Sequence, residues 1–159
     1  MVKATADPLQ HTVSFNLSER LMWRKILLWR YYEDLGNRDE FHVEWSDYNQ
    51  HSKIVTINEE SDSNLSEKIE TKELFKTIIK VTKLVGKMKL ITISAFYSTG
   101  TLLLQGLASQ TWVTNEFQNI LKSVEHLKNN KSANYQNLIS IISANSDHPP
   151  PSSPLGSDA

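Results

Sequence analysis

The chain contains no cysteine. A disulfide scaffold, a thiolate metal site and a cysteine nucleophile are therefore excluded, while the compartment stays open. Nor is there an excess of one charge. Lys and Arg number 17 against 18 Asp and Glu, a formal net charge of −1, so any phosphate-binding surface must be local. No run approaches the roughly 18 consecutive apolar residues that span a bilayer, and MVKATADPLQHT lacks the apolar core of a signal peptide. A soluble, intracellular protein with no membrane span is expected, in which the Asn16-Leu17-Ser18 sequon is chance.

Catalytic motifs are missing too. His11, His42, His51, His126 and His148 show no metal-ligand spacing, and there is no glycine-rich phosphate loop, nucleophile elbow or kinase signature. Only Glu44 falls in an expected strand, and one carboxylate cannot hold two metal ions. His42 and Glu44 share a strand face and could exchange protons, but beside a polar turn they read as a solvated face. The expectation is a non-enzyme with no catalytic residue, metal or cofactor.

What is present is pattern. The 159 residues suffice for one domain with a core, and 39% apolar content suggests that some of the length is not folded. Residues 1–15, with Pro8, read as a flexible leader. Residues 130–159, ending HPPPSSPLGSDA, read as a disordered Pro/Ser-rich tail whose proline run could be a polyproline II ligand. Residues 16–129 form the domain.

The domain is organised around Lys89 to Gly106, KLITISAFYSTGTLLLQG. Ile91, Ile93 and Ala95 alternate with Thr92 and Ser94, and Leu102 and Leu104 with Thr101, Leu103 and Gln105. This is a hairpin turning at Ser98, Thr99 and Gly100. If the first set points inward, then Thr92, Ser94, Phe96, Thr101, Leu103 and Gln105 line the opposite face.

Before it, Leu17–Leu35 has helical spacing, a capping Asn16 or Ser18, and Gly36 as a stop. Leu21, Leu28, Tyr32 and Leu35 form one stripe and Met22, Ile26 and Trp29 another, fringed by Arg20, Arg24, Lys25 and Arg30. That helix either packs on the sheet with a wet basic edge or docks on a partner. Glu40–Ser46 alternates Phe41, Val43 and Trp45 against polar residues and pairs with Lys53–Asn58 as a second hairpin. Glu59–Asn64 is an acidic loop. Ser66–Val85 reads as a helix ending at Gly86, with Lys68, Lys72, Lys76, Lys80 and Lys83 as one basic ridge. A last helix starts at a Thr114 cap and buries Val113, Phe117, Ile120, Leu121, Val124 and Leu127. The fold class is α+β: a leading helix, then ββαββα, with four antiparallel strands and helices on one face.

The run Phe96-Tyr97-Ser98-Thr99-Gly100-Thr101-Leu102-Leu103-Leu104-Gln105-Gly106 resembles the hairpin in the N-terminal substrate-binding domain of type 3 ribonucleases H, a half-repeat relative of the TATA-binding-protein fold. It is also similar to Tyr-x-Thr-Gly…Gln-Gly hairpins of uncharacterised animal mobile-element-type proteins, followed, as here, by Trp112, Glu116 and Phe117. The resemblance implies nucleic-acid binding through a curved sheet, with Tyr97, Ser98, Thr99, Gly100 and Gln105 at the matching positions. A lysine expected near the turn is absent, so Lys83, Lys87 and Lys89 would supply the cations that phosphates require. Tyr97 could stack on a base or ribose, or pack across its strand pair.

The sequence thus reads as a non-catalytic nucleic-acid-binding module for DNA or an RNA–DNA duplex, and as a candidate fragment of a mobile-element-derived protein. The alternative is a protein-interaction or homodimerisation module using the sheet face or the Trp23 and Trp29 helix.

Overall fold

The computed structural model describes residues 9–57 and 61–129. The first eight residues of the expected leader, Asn58 to Glu60 and the expected tail lie outside the described residues. The elements are β1 (Gln10–Ser14), α1 (Arg20–Leu27), β2 (Phe41–Tyr48), β3 (Ile54–Val55), α2 (Asp62–Glu70), β4 (Lys76–Lys83), β5 (Met88–Phe96), β6 (Thr101–Gln105), α3 (Ser109–Thr111) and α4 (Phe117–Asn129). A short 3₁₀ turn precedes α1, which runs on through a π-helical stretch at Leu28–Asp34; a second π-helical stretch, Trp112–Glu116, joins α3 to α4.

The class is α+β, but the sheet has six antiparallel strands rather than four, in the order β1-β6-β5-β4-β2-β3. Two segments account for the difference. Gln10–Ser14, expected in the leader, pairs with β6 along its whole length. Lys76–Lys83, expected inside a helix, is the strand between β2 and β5. Its sequence KTIIKVTK fits both periods on apolar positions, and its β-branched content decides: Thr77, Ile79 and Val81 go inward. The helix before it ends early because Lys72 adopts φ +65°. It also begins early, at Asp62, where Ser61 caps by accepting from Asn64 N, so the expected acidic loop is partly helix.

The central hairpin stands where its alternation put it. Ile91, Ile93, Ala95, Leu102 and Leu104 are buried, and a bulge opposite Val81 and Thr82 also turns Leu90 inward. The loop between β5 and β6 runs from Tyr97 to Gly100, one residue longer than expected. The second hairpin shrinks to a two-residue β3 against Asp47 and Tyr48, so β2 extends past Ser46.

Trp23, Ile26, Leu27 and Tyr31 of the leading helix pack with Ile120 and Val124 of α4 over these inward side chains. The ring series Phe15, Trp23, Phe117, Trp112 runs through this layer at centroid spacings of 5.5, 5.6 and 5.8 Å. Asn16 caps the leading helix by accepting from Ser18 N at 2.9 Å. The π-helical stretch has more residues per turn than an α-helix, which rotates the later side chains. Tyr31 is therefore buried, and Tyr32, placed on the apolar stripe by an α-helical period, is 55% exposed.

The last helix begins at Ser109, ahead of the expected Thr114 cap. Thr114 instead donates to Gln110 O from within the π-helical stretch. The basic fringe of the leading helix is not free for a partner. Arg20 pairs with Glu70, Arg24 with Asp47, Lys25 with Asp62 and Arg30 with Glu116. Trp23 and Trp29 are buried, so they cannot serve as the contact of a docking helix.

Candidate nucleic-acid interface

One face of the sheet carries the helices. The residues that alternate with its core positions lie on the other face and are mostly part-exposed. Strand register arranges them in rows. Ile54, Tyr48, Lys76, Phe96, Thr101 and Ser14 stand side by side across all six strands. The next row is Ser46, Ile78, Ser94, Leu103 and Thr12, followed by Glu44, Lys80, Thr92, Gln105 and Gln10, and then by His42, Thr82 and Lys89.

The first row has the most definite geometry. Lys76 Nζ lies 5.5 Å from the Tyr48 ring centroid and 5.8 Å from that of Phe96, bridging two aromatics on neighbouring strands. The Phe96 ring is in turn met edge-on by Phe75 at 6.4 Å and 79°. Lys80 lies about 13 Å further along β4 and Lys89 about 7 Å beyond it at the usual strand rise, so three ammonium groups track one strand direction. Glu44 is the carboxylate among these rows, and it faces His42 at 3.5 Å.

A buried polar network lies under this row, on the helix side. Asp47 accepts from Arg24 at 2.8 Å, from Trp45 Nε1 at 3.2 Å and from the Thr77 hydroxyl at 2.6 Å, and Thr77 Oγ1 is 2.5 Å from the Tyr97 hydroxyl. Burial pushes the Tyr97 phenol up to about 12, with the Asp47 charge acting in the same direction. Asp47, Thr77 and Tyr97 are the chain neighbours of Tyr48, Lys76 and Phe96. Tyr48, Lys76 and Phe96 are thus each mounted on a strand position whose next side chain is locked from below.

The residues expected from the sequence divide into three groups. Gln105 and Lys89 lie on the open face. Ser98 and Thr99 are exposed at the β5–β6 loop, beside the first row, and Thr99 Oγ1 donates to Thr101 Oγ1. Lys83, the last residue of β4, and Lys87, in the β4–β5 turn, stand at the opposite end of a nine-residue β5 and so about 26 Å or more away. Tyr97 is fully buried and cannot stack on a ligand. The basic ridge does not exist as such, because Lys68 belongs to α2, Lys72 to the following turn, and Lys76, Lys80 and Lys83 to β4. Tyr48, Lys76 and Lys80 are additions to the face. They became visible only once KTIIKVTK was a strand, although the Tyr48 position follows from extending the β2 alternation by two residues.

Among the described residues no group of three His, Cys, Asp or Glu side chains could hold a metal ion, and no helix is long and apolar enough to cross a membrane. No family model, curated protein or solved structure matches the chain.

Proposed function

We propose that this chain is a non-catalytic nucleic-acid-binding module whose open sheet face receives the ligand. The observation that carries the reading is the Tyr48–Lys76–Phe96 row, with Lys80 and Lys89 beyond it, on the face opposite the described helices. Part-exposed aromatic rings offer stacking surfaces that tolerate any base, and ammonium groups in line attract the phosphate backbone. The hairpin's resemblance to the ribonuclease domain supports the same choice, now with Phe96 in place of Tyr97 as the stacking residue. A mobile-element origin remains part of the proposal through the same motif.

The test is a fluorescence-anisotropy titration of labelled duplex DNA, RNA–DNA hybrid and single strands at two salt concentrations. Wild type is compared with a Lys76→Ala, Lys80→Ala, Lys89→Ala variant and with Phe96→Ala. Three phosphate contacts give a slope of log affinity on log salt of about −2 to −3, which the triple variant should abolish; Phe96→Ala should weaken binding by about tenfold with little change in slope. Absence of binding at low salt by the folded protein would instead favour a protein partner. Ile54, 70% exposed beside Tyr48, is the feature that would suit such a docking face.

A further inference from the structure

On the helix side of the sheet, away from the open face, a cleft of about 730 Å³ opens between the leading helix and β2. We infer that it binds an alkylammonium group, held against the Trp45 and Tyr32 rings beside Glu33. The two rings lie 6.4 Å apart at an interplanar angle of 59°, and both line the cleft. A cation in the cleft can lie against the Tyr32 ring and the part of the Trp45 ring that the Arg24 guanidinium does not cover, and aromatic faces of this kind attract quaternary ammonium ions. Leu28 and Ile57 complete the lining with apolar surface suited to the methyl groups or stem of the ligand.

Charge selects the same ligand class. Arg24 also lines the cleft, but it is buried and tied to Asp47 at 2.8 Å, so these two charges cancel. The exposed Glu33 carboxylate makes no ion pair among the described residues and is the uncompensated charge of the cleft. Trp45 is already fixed for the task. Its Nε1 donates to Asp47 and the Arg24 guanidinium lies 5.5 Å from its ring centroid, so little side-chain freedom remains to be lost on binding.

An alkylammonium could come from a free amine such as choline or from a methylated lysine side chain in a polypeptide. The experiment therefore titrates the full chain with choline, with a short trimethyllysine peptide, and with the uncharged tert-butyl isostere of choline. Binding is followed by calorimetry and by the indole N–H resonance of Trp45. Choline or the peptide should bind in the millimolar range or better and at least about tenfold more tightly than the isostere. Whichever of the two is tighter identifies the source. Tyr32→Ala, a change at an exposed position that leaves the core intact, should weaken binding by about tenfold, and Glu33→Gln by about threefold. Equal affinity for the isostere, an unmoved Trp45 resonance at millimolar ligand, or unchanged affinity in Tyr32→Ala would overturn the inference. None of these outcomes touches the nucleic-acid reading, whose residues lie on the other face.

Discussion

Tyr97 and Glu116 show how individual buried polar groups should report on this fold. Tyr97 keeps its proton in the folded state up to about pH 12, against an ordinary value of 10, chiefly because burial penalises the phenolate. A raised folded pKa contributes stability that is fully present below the unfolded value and is lost as pH rises from there through the folded value. Unfolding by urea at about pH 8 and about pH 11.5 should therefore show wild type losing about 2 kcal/mol more than Tyr97→Phe over that step; equal losses would remove Tyr97 from the account. Tyr31, also raised mainly by burial, adds alkaline sensitivity of the same sign.

Glu116 accepts from Arg30 at 3.1 and 2.9 Å and from the Tyr31 hydroxyl, which itself accepts from Trp112 Nε1. Burial works against the Arg30 charge, but Glu116 outweighs it and raises the pKa above its usual value. Glu116→Ala leaves the buried Arg30 guanidinium only the Asp34 carboxylate, 2.9 Å away, and should cost about 2–4 kcal/mol in a denaturant titration, whereas Arg30→Met combined with Glu116→Leu should cost less than that single change. A loss below about 1 kcal/mol for Glu116→Ala would show that the pair is not desolvated as described.

Among the elements, the β5–β6 hairpin depends on a glycine at its turn. Gly100 has φ +70°, and a Cβ there would lie 2.6 Å from the Phe15 carbonyl oxygen, where β1 leads into the leading helix. Gly86 has a comparable φ of +84° but open space around it. Gly100→Ala should therefore destabilise by about 2–3 kcal/mol and Gly86→Ala by about 1, the gap measuring the contact with Phe15. Thermal or chemical denaturation showing equal costs would contradict this.

The same hairpin was the most legible part of the chain, because strict alternation, a glycine turn and flanking β-branched residues agree. The leading helix was legible through its Asn16 cap and spacing, and α4 through its spacing alone. The run from Ser66 to Val85 was not. Leu74, Ile78, Val81 and Val85 satisfy a helical period while Thr77, Ile79 and Val81 satisfy a strand, and cross-strand pairing on both sides settles the choice. That one ambiguity hid Lys76 and Lys80, and with them most of the candidate face. Arg24 and Arg30 were misplaced in water because their partners, Asp47 and Glu116, are distant in sequence and no local pattern announces them.

For the whole molecule, one end of the sheet is formed by β1. It covers the outer edge of β6 from Gln10 opposite Gln105 to Ser14 opposite Thr101, and Phe15 N donates to Gly100 O at 2.8 Å just beyond it. Removing residues 1–14 leaves the β6 backbone unpaired along a part-apolar strand, an invitation to edge-to-edge pairing. The truncated chain should self-associate in sedimentation measurements at concentrations where the full chain does not, and identical behaviour of the two would argue that the edge is protected in another way.

This arrangement also sets an order of events during folding. β1 is the first of the described strands and pairs only with β6, the last of them, so it takes its place late and across nearly the full length of the domain. Until then the slot beside β6 is open to the same segment of another copy, and strand exchange between nascent chains competes with self-closure. Dilution, which favours the intramolecular strand, therefore favours the monomer.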